Sequence, residues 1–155
     1  MFVIIRALPE HAPTMFEIQR RAFAEEGRRS GSDEIPPLME PLASIVGDVA
    51  NQTALVASED GRIVGAIRGV VSGSVCTVRA LVVDPSHQGR GIGLSLLRAL
   101  EGALPRVTRF DLTTNMVMER NVPFYERNGY RATARTRYSE TVTLANMSKT
   151  IRKED

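Results

Sequence analysis

The chain alternates between short apolar runs and stripes of helical period. Phe2-Val3-Ile4-Ile5 opens a strand over Met1–Leu8, and Pro9 closes it because proline has no N–H to give a ladder. From Pro9 to Glu26 the period changes. Ala12, Met15, Phe16, Gln19, Ala22 and Phe23 recur every three or four residues and share one helix face. Gly27-Arg28-Arg29-Ser30-Gly31-Ser32 is polar and glycine-bearing and reads as a loop, and Ser30 to Pro37 is the least regular part of the chain. A second helical stretch runs from Leu38 to Val49, interrupted near its start by Pro41. Three strands follow as an antiparallel meander: Thr53–Ala57, Arg62–Val71 and Val75–Val83. Asp60-Gly61 is a hairpin signal, Ser72-Gly73-Ser74 turns the chain again, and Gly65 and Gly69 weaken or bend the middle strand.

The densest block is Val78 to Leu104. Ala80-Leu81-Val82-Val83 reads as a buried strand, ended by Asp84-Pro85. Gln88-Gly89-Arg90-Gly91-Ile92-Gly93 then feeds a helix that starts near Gly91, with Ile92, Leu96, Leu97, Leu100 and Leu104 on one stripe. Glycines before a helix N-terminus leave backbone N–H groups free at the positive end of the helix dipole, a place suited to phosphate oxygens. The P-loop pattern fails, since no lysine follows these glycines. The dinucleotide fingerprint finds Gly89-x-Gly91, and Asp111 at about the distance of a ribose-binding acid. Leu94, however, stands at its last place, and hairpin-linked strands precede it where parallel crossovers are needed. A third pattern, Arg/Gln-x-x-Gly-x-Gly/Ala after a strand, fits at every place. Beyond Pro105, Thr108–Thr113 forms a strand parallel to the one before the helix. Asn121-Val122-Pro123-Phe124-Tyr125-Glu126-Arg127-Asn128-Gly129-Tyr130-Arg131 contains a short helix stopped at Gly129, and Tyr130–Arg137 and Thr141–Ile151 are the closing strands.

Gln88–Gly93 in this setting, with the Asn121–Arg131 block, resembles the GNAT (GCN5-related N-acetyltransferase) superfamily from about Val75 onward. Residues 1–70 agree only in the order of their elements. The resemblance implies an α/β (α+β) fold over residues 1–155 as one domain. Its sheet would be mixed and mostly antiparallel, of about seven strands with about four flanking helices and a parallel pair splayed at the coenzyme site. It implies transfer of an acetyl group from acetyl-coenzyme A to a primary amine, by direct attack in a ternary complex and without a metal. Carried over by position, the backbone of Leu81, Val82 and Val83 would pair with the pantetheine arm and help hold the thioester carbonyl. Gln88, Gly89, Arg90, Gly91, Ile92, Gly93 and Leu94 would hold the pyrophosphate, with Arg90 at the rim. Tyr125 matches the tyrosine beside the sulfur, as general acid, orienting hydroxyl or packed aromatic. Asn121 caps the short helix or contacts the coenzyme. Asp111, Glu119 and Glu34 are all candidate bases and no local feature selects one; a water chain serves in many relatives. Asp33 and Glu34 fall in the connection that would line the acceptor pocket, where they meet a cationic substrate or simply solvent. Many relatives dimerise through their C-terminal strands, which implies a homodimer here. The alternative function is a catalytically degenerate acyl-coenzyme A binding or sensor domain. An interaction domain acting through a charged face leaves Gln88–Gly93 unexplained.

Composition adds limits. The 155 residues are 43% hydrophobic and 25% charged, ordinary for a soluble domain. Net charge is +2, and arginines supply nearly all the positive residues, spread along the chain without aromatic interleaving; no nucleic-acid partner follows. A lone cysteine, Cys76, excludes an internal disulfide and reads as a small core side chain in a reducing compartment. The N-terminal apolar run is too short for a signal peptide's core and nothing approaches a membrane span, so the expected location is cytoplasmic. Acetylating an amine sets a further demand. A lysine-like ammonium, of reference pKa about 10.4, must lose a proton before it can attack.

Overall fold

In the computed structural model, which describes residues 1–151, seven strands alternate with five helical segments. The strands are β1 (Val3–Arg6), β2 (Thr53–Glu59), β3 (Arg62–Ser72), β4 (Val75–Val83), β5 (Arg109–Asn115), β6 (Arg131–Arg137) and β7 (Thr143–Thr150). The helices are α1 (Ala12–Ser30), α2 (Pro36–Met39), α3 (Leu42–Asn51), α4 (Ile92–Ala103) and α5 (Asn121–Arg127). All strands join one sheet in the order β1-β2-β3-β4-β5-β7-β6. Only β4 and β5, linked across α4, are parallel. The Asp60-Gly61 hairpin forms as expected, both residues at positive φ (52° and 77°).

The sheet is covered on both faces. On one side Leu96, Leu97 and Leu100 of α4 pack on Ile67, Cys76, Val78, Phe110 and Leu112. Each such leucine, fully buried, contributes about 1.5–3 kcal/mol. On the other side Met15 and Ile18 of α1, with Ile45 and Val49 of α3, meet Val56, Ala66 and Val82. Gly65 and Gly69 admit α4, and Gly65 also adjoins a bulge in β3, where Gly65 and Ile63 face successive residues of β2. A Cβ on Gly69 would meet Cys76 Sγ at 2.8 Å and Leu100 Cδ1 at 3.0 Å.

One local expectation fails here, while the break expected at Pro41 holds. Gly27–Ser30 is not a loop; α1 runs through it and stops at Gly31, which takes the left-handed φ of 69°. Gly27 lets α1 and the α2 segment approach closely, since a Cβ there would meet Leu38 Cδ1 at 2.8 Å and the Ser32 carbonyl at 3.2 Å. Packing of α2 against α1 overrides the helix propensity that glycine lacks. Pro41 divides the second helical stretch, leaving α2 as a single turn and serving as N-cap of α3.

Candidate functional site

β4 and β5 pair over Val75–Thr77 and Arg109–Asp111 alone, and then part. The reason lies in β4. Between the pairs Ala66–Val82 and Arg68–Arg79, β3 advances two residues and β4 three, so β4 carries a bulge. Ala80 sits in it at φ 51°, a left-handed conformation that costs a non-glycine residue about 1–2 kcal/mol. A bulge bends and over-twists its strand. From Val78 onward the β5-facing edge of β4 has no strand partner, and a cleft of about 860 Å³ opens in the gap. Its lining comes from both faces of the sheet: Val78, Leu112 and Thr114 from the α4 side, Thr77, Arg79, Asp111 and Thr113 from the α1 side.

One end of the cleft is built from contiguous chain. Leu81 and Gly93 line it. Val82 and Val83 are held on their other edge by Ala66 and Gly65 of β3. Asp84 ends the strand by accepting from Ser86 N (3.1 Å) and pairing with Arg21 of α1 (2.7 Å). Gly89 and Gly91 take φ of 79° and 81°, with open space where a Cβ would stand. Gly91 is the N-cap of α4 and no side chain caps it, so the first-turn N–H groups face outward at the positive pole of the helix. Ile92 is buried and anchors that turn; Leu94 is half-buried. Gln88 Nε2 donates back to the Val83 carbonyl (3.3 Å). Arg90 pairs with Glu59 of β2 at 2.9 Å, and its guanidinium holds the Glu59 carboxyl below the usual range.

α5 closes this end with Tyr125 and Phe124, stacked edge to face at 5.1 Å; Tyr130 meets Tyr125 in the same way at 5.7 Å. Burial pushes the Tyr125 hydroxyl up to about 12, and the nearby Glu26 carboxyl adds to the shift. Gly129 ends the helix at φ 93°, as expected. Asn121 does not cap it. It is the first helical residue, after Arg120, and its Nδ2 donates to Thr114 Oγ1 at 3.0 Å, which pins α5 to β5 at the cleft wall.

The other end is assembled from distant side chains. Of the candidate bases, Asp111 lines the cleft, but Ser148 Oγ (2.7 Å) and Arg109 Nε (3.1 Å) occupy its carboxylate. Glu119 is exposed and lies 3.9 Å from Arg29. Glu34 is exposed and bonds through its backbone, its N–H donating to Ser32 Oγ (2.9 Å) and its carbonyl accepting from the Tyr138 hydroxyl (3.0 Å). Asp33 borders a small separate hollow with Arg20 and Leu38. None of the last three lines the cleft.

Glu26 does, and the sequence reading passed over it. It is 5% exposed and projects from α1 toward Tyr125 and Asn115. Burial raises its carboxyl to about 7, opposed only by the Asn115 amide. Its signal was present: the apolar stripe of α1 continues from Phe23 to position 26, where a carboxylate takes the place of a hydrophobe. Gln19, an earlier member of that stripe, is likewise buried and polar.

Gln19 belongs to a buried ionic cluster on the same wall. Arg68, 1% exposed, donates to Glu40 (2.6 Å), Asp48 (2.7 Å) and Gln19 (3.0 Å). Arg79 also bonds Glu40, at 2.9 Å. Burial alone would raise the Glu40 carboxyl, but bonds from Arg68, Gln19 and Ser44 outweigh it and lower it to about 2. Gln19 Nε2 further donates to the Pro37 carbonyl (3.0 Å), so the cluster fixes the Pro36–Glu40 strap over the cleft. Cys76 lies in the core with its thiol pushed up to about 11, first by burial and then by Asp111, which disfavours the thiolate.

A parted parallel pair beside a glycine loop at a helix N-terminus is the site plan of an acyl-coenzyme A transferase, and the comparisons specify the class. The family described as acetyltransferase (GNAT) domain matches residues 32–151, so the chain belongs to the GNAT acetyltransferases, enzymes whose co-substrate is acetyl-coenzyme A. It is 28% identical over 124 residues to the glucosamine 6-phosphate N-acetyltransferase of Trypanosoma brucei brucei, covering 78% of this chain and 74% of that one. Its fold matches the ribosomal-protein-S18-alanine N-acetyltransferase of Escherichia coli with a TM-score of 0.83 at 18% identity, over 100% of this chain and 97% of the other. It also matches YncA of Salmonella typhimurium, solved with its cofactor acetyl-CoA, at a TM-score of 0.76 and 16% identity, over 100% and 96% of the two chains.

Proposed function

We propose that this acetyltransferase moves the acetyl group directly to a primary amine within a ternary complex. The observation that carries the reading is the parting of β4 and β5, which opens one cleft to both the glycine loop and the acceptor-side wall. The free edge of β4 at Leu81–Val83 pairs with the pantetheine arm as an added strand would. Its N–H groups supply the donor for the tetrahedral oxyanion. The N–H groups from Gly89 to Leu94 take the pyrophosphate, and Arg90, already neutralised by Glu59, trims the rim. Tyr125 stays protonated through the neutral range and donates to the departing thiolate.

The acceptor stays a primary amine of unassigned body. The curated relative's name specifies a phosphorylated amino sugar, but the three arginines that line this cleft, Arg68, Arg79 and Arg109, each already hold a carboxylate. That favours an acceptor whose body is uncharged. A homodimer through the C-terminal strands would use β6, an edge strand exposed along its length. A cytoplasmic site of action is part of the same proposal and rests on the free thiol of Cys76 and the choice of co-substrate. No helix among the described residues is long and apolar enough to cross a membrane.

Thiol release from acetyl-coenzyme A against a panel of amines tests the reading. Wild type should release thiol with one amine class. Gly91→Glu should lose coenzyme binding through backbone strain and charge repulsion, and Tyr125→Phe should slow turnover about 10²-fold or more with coenzyme binding kept. Coenzyme binding by wild type with no amine accelerating release would favour a sensor domain.

A further inference from the structure

We propose that Glu26 is the general base that deprotonates the acceptor ammonium. The inference rests on the acetyl-transfer reading above and assigns its missing proton acceptor. Glu26 is the carboxylate that the fold places in the cleft without a cation. Asp111 is clamped by Ser148 and Arg109, and Glu40 by Arg68, Arg79, Gln19 and Ser44. Glu26 has no ion-pair partner among the described residues, although its side chain is almost wholly buried. An unpaired carboxylate in such a place costs stability, and such groups concentrate where chemistry uses them.

The surroundings of Glu26 are consistent with this. From α5 it faces the hydroxyl of Tyr125, and from the end of β5 the neutral amide of Asn115. Asn115 is itself fixed, donating to Ser30 Oγ at 2.9 Å and accepting from Val117 N at 3.0 Å. On its own helix Arg29 turns away, to Met118 Sδ and Glu119, and Glu25 pairs with Arg28. The Arg68 cluster, which meets α1 at Gln19 two turns before Glu26, is satisfied within itself. No cation therefore pins Glu26 as an ionised, unreactive carboxylate.

The proton balance closes. The ammonium gives one proton to Glu26, and the neutral nitrogen attacks the thioester carbon, forming C–N. The C–S bond then breaks, Tyr125 gives its proton to the sulfur, and the nitrogen loses its second proton as the amide forms, restoring Tyr125. The proton on Glu26 passes to water. Free amide, thiol and one proton result, with no further reactant. A carboxyl near 7 and a phenol near 12, facing one another, separate the roles of acceptor and donor.

The test is a pH–rate profile of Glu26→Gln beside wild type, with two amines of well-separated pKa. In wild type, kcat/KM should rise with pH through an inflection near 7 that stays in place when the amine is changed. Glu26→Gln, close in shape, should lower kcat by about 10²–10⁴-fold, abolish that inflection, and leave acetyl-coenzyme A affinity within about twofold. Glu26→Asp should retain the inflection with part of the rate. A Gln variant that keeps wild-type rate, or loses rate with the inflection intact, overturns the assignment while acetyl transfer stands. Wild type that binds the coenzyme but transfers to no amine overturns both.

Discussion

The two ends of the cleft are made differently. The end that the proposed function gives to the coenzyme is nearly one continuous stretch, Leu81 to Leu94, and what it presents is backbone: a strand edge, two left-handed glycines and a helix N-terminus. The acceptor end is a mosaic: Gln19 and Glu26 from α1, Glu40 from the strap, Arg68 from β3, Arg79 from β4, Asp111 from β5 and Asn146 from β7. Its working groups are side chains, several of them buried and charged. A backbone device recognises a ligand common to every reaction of the class and tolerates change in most side chains. A side-chain mosaic can be altered one residue at a time, and its charged members must satisfy one another to remain buried.

Mutations that remove one member of each device should therefore differ in kind. The largest effect is expected at the ionic cluster. Glu40→Ala leaves Arg68 buried with Asp48 as its one carboxylate, beside the Gln19 amide, and should cost about 3–5 kcal/mol in denaturant unfolding. The same group makes an acid-side prediction. Its folded value of about 2 lies below the free value of 4.5, so its contribution is complete above about 4.5 and is lost as pH falls toward 2. A cost below 1 kcal/mol would mean the cluster is not what fixes the strap.

Next comes Glu26, where the sign reverses. Its folded value of about 7 lies above the free 4.5, so the native state binds more protons than the unfolded chain and stability declines as pH rises from 4.5 to 7. Glu26→Gln should leave stability unchanged near pH 4 and raise it at pH 8, by at most about 3 kcal/mol. Melting curves at the two pH values check this. Stabilisation above neutrality beside a loss of turnover would mark a residue retained for its chemistry.

The smallest effect belongs to the backbone device. Ala→Gly in an ordinary strand costs about 0.5–1 kcal/mol, but at Ala80 it also relieves a left-handed strain of about 1–2 kcal/mol. Ala80→Gly should be neutral or stabilising by up to about 1 kcal/mol, and should leave the splay, and with it coenzyme affinity, in place. A clear loss of stability would show that the bulge is not strained at this residue.

The difference between the ends also explains what could be read in advance. Gly89, Gly91 and Gly129, the Asp60-Gly61 turn, the end of β4 at Asp84-Pro85 and the stripe of α4 are local matters, since φ preference, the missing proline N–H and hydrophobic period act over a few residues. They were legible, and with them the sheet, its single parallel pair and the backbone form of the glycine turn before α4. The capping role considered for Asn121 was misleading because its amide bonds a β5 hydroxyl seven residues away, and the loop expected at Gly27–Ser30 was misleading because α1 continues through the glycine where Leu38 packs against it.

What the amino-acid order determined alone is thus most of the elements and the glycine turn before α4, because each is settled by neighbours in the chain. Only the tertiary structure decided which acid stands free in the cleft. No local feature chose among Asp111, Glu34 and Glu119, and the place of Glu26 on the apolar stripe of α1 marked it as buried without showing what it faces. Solvent exposure removes two of them, Ser148 and Arg109 clamp the third, and Tyr125 lies across from the fourth. The state of a carboxylate is set by its dielectric surroundings and by the nearest cation, and both come from residues up to a hundred positions away.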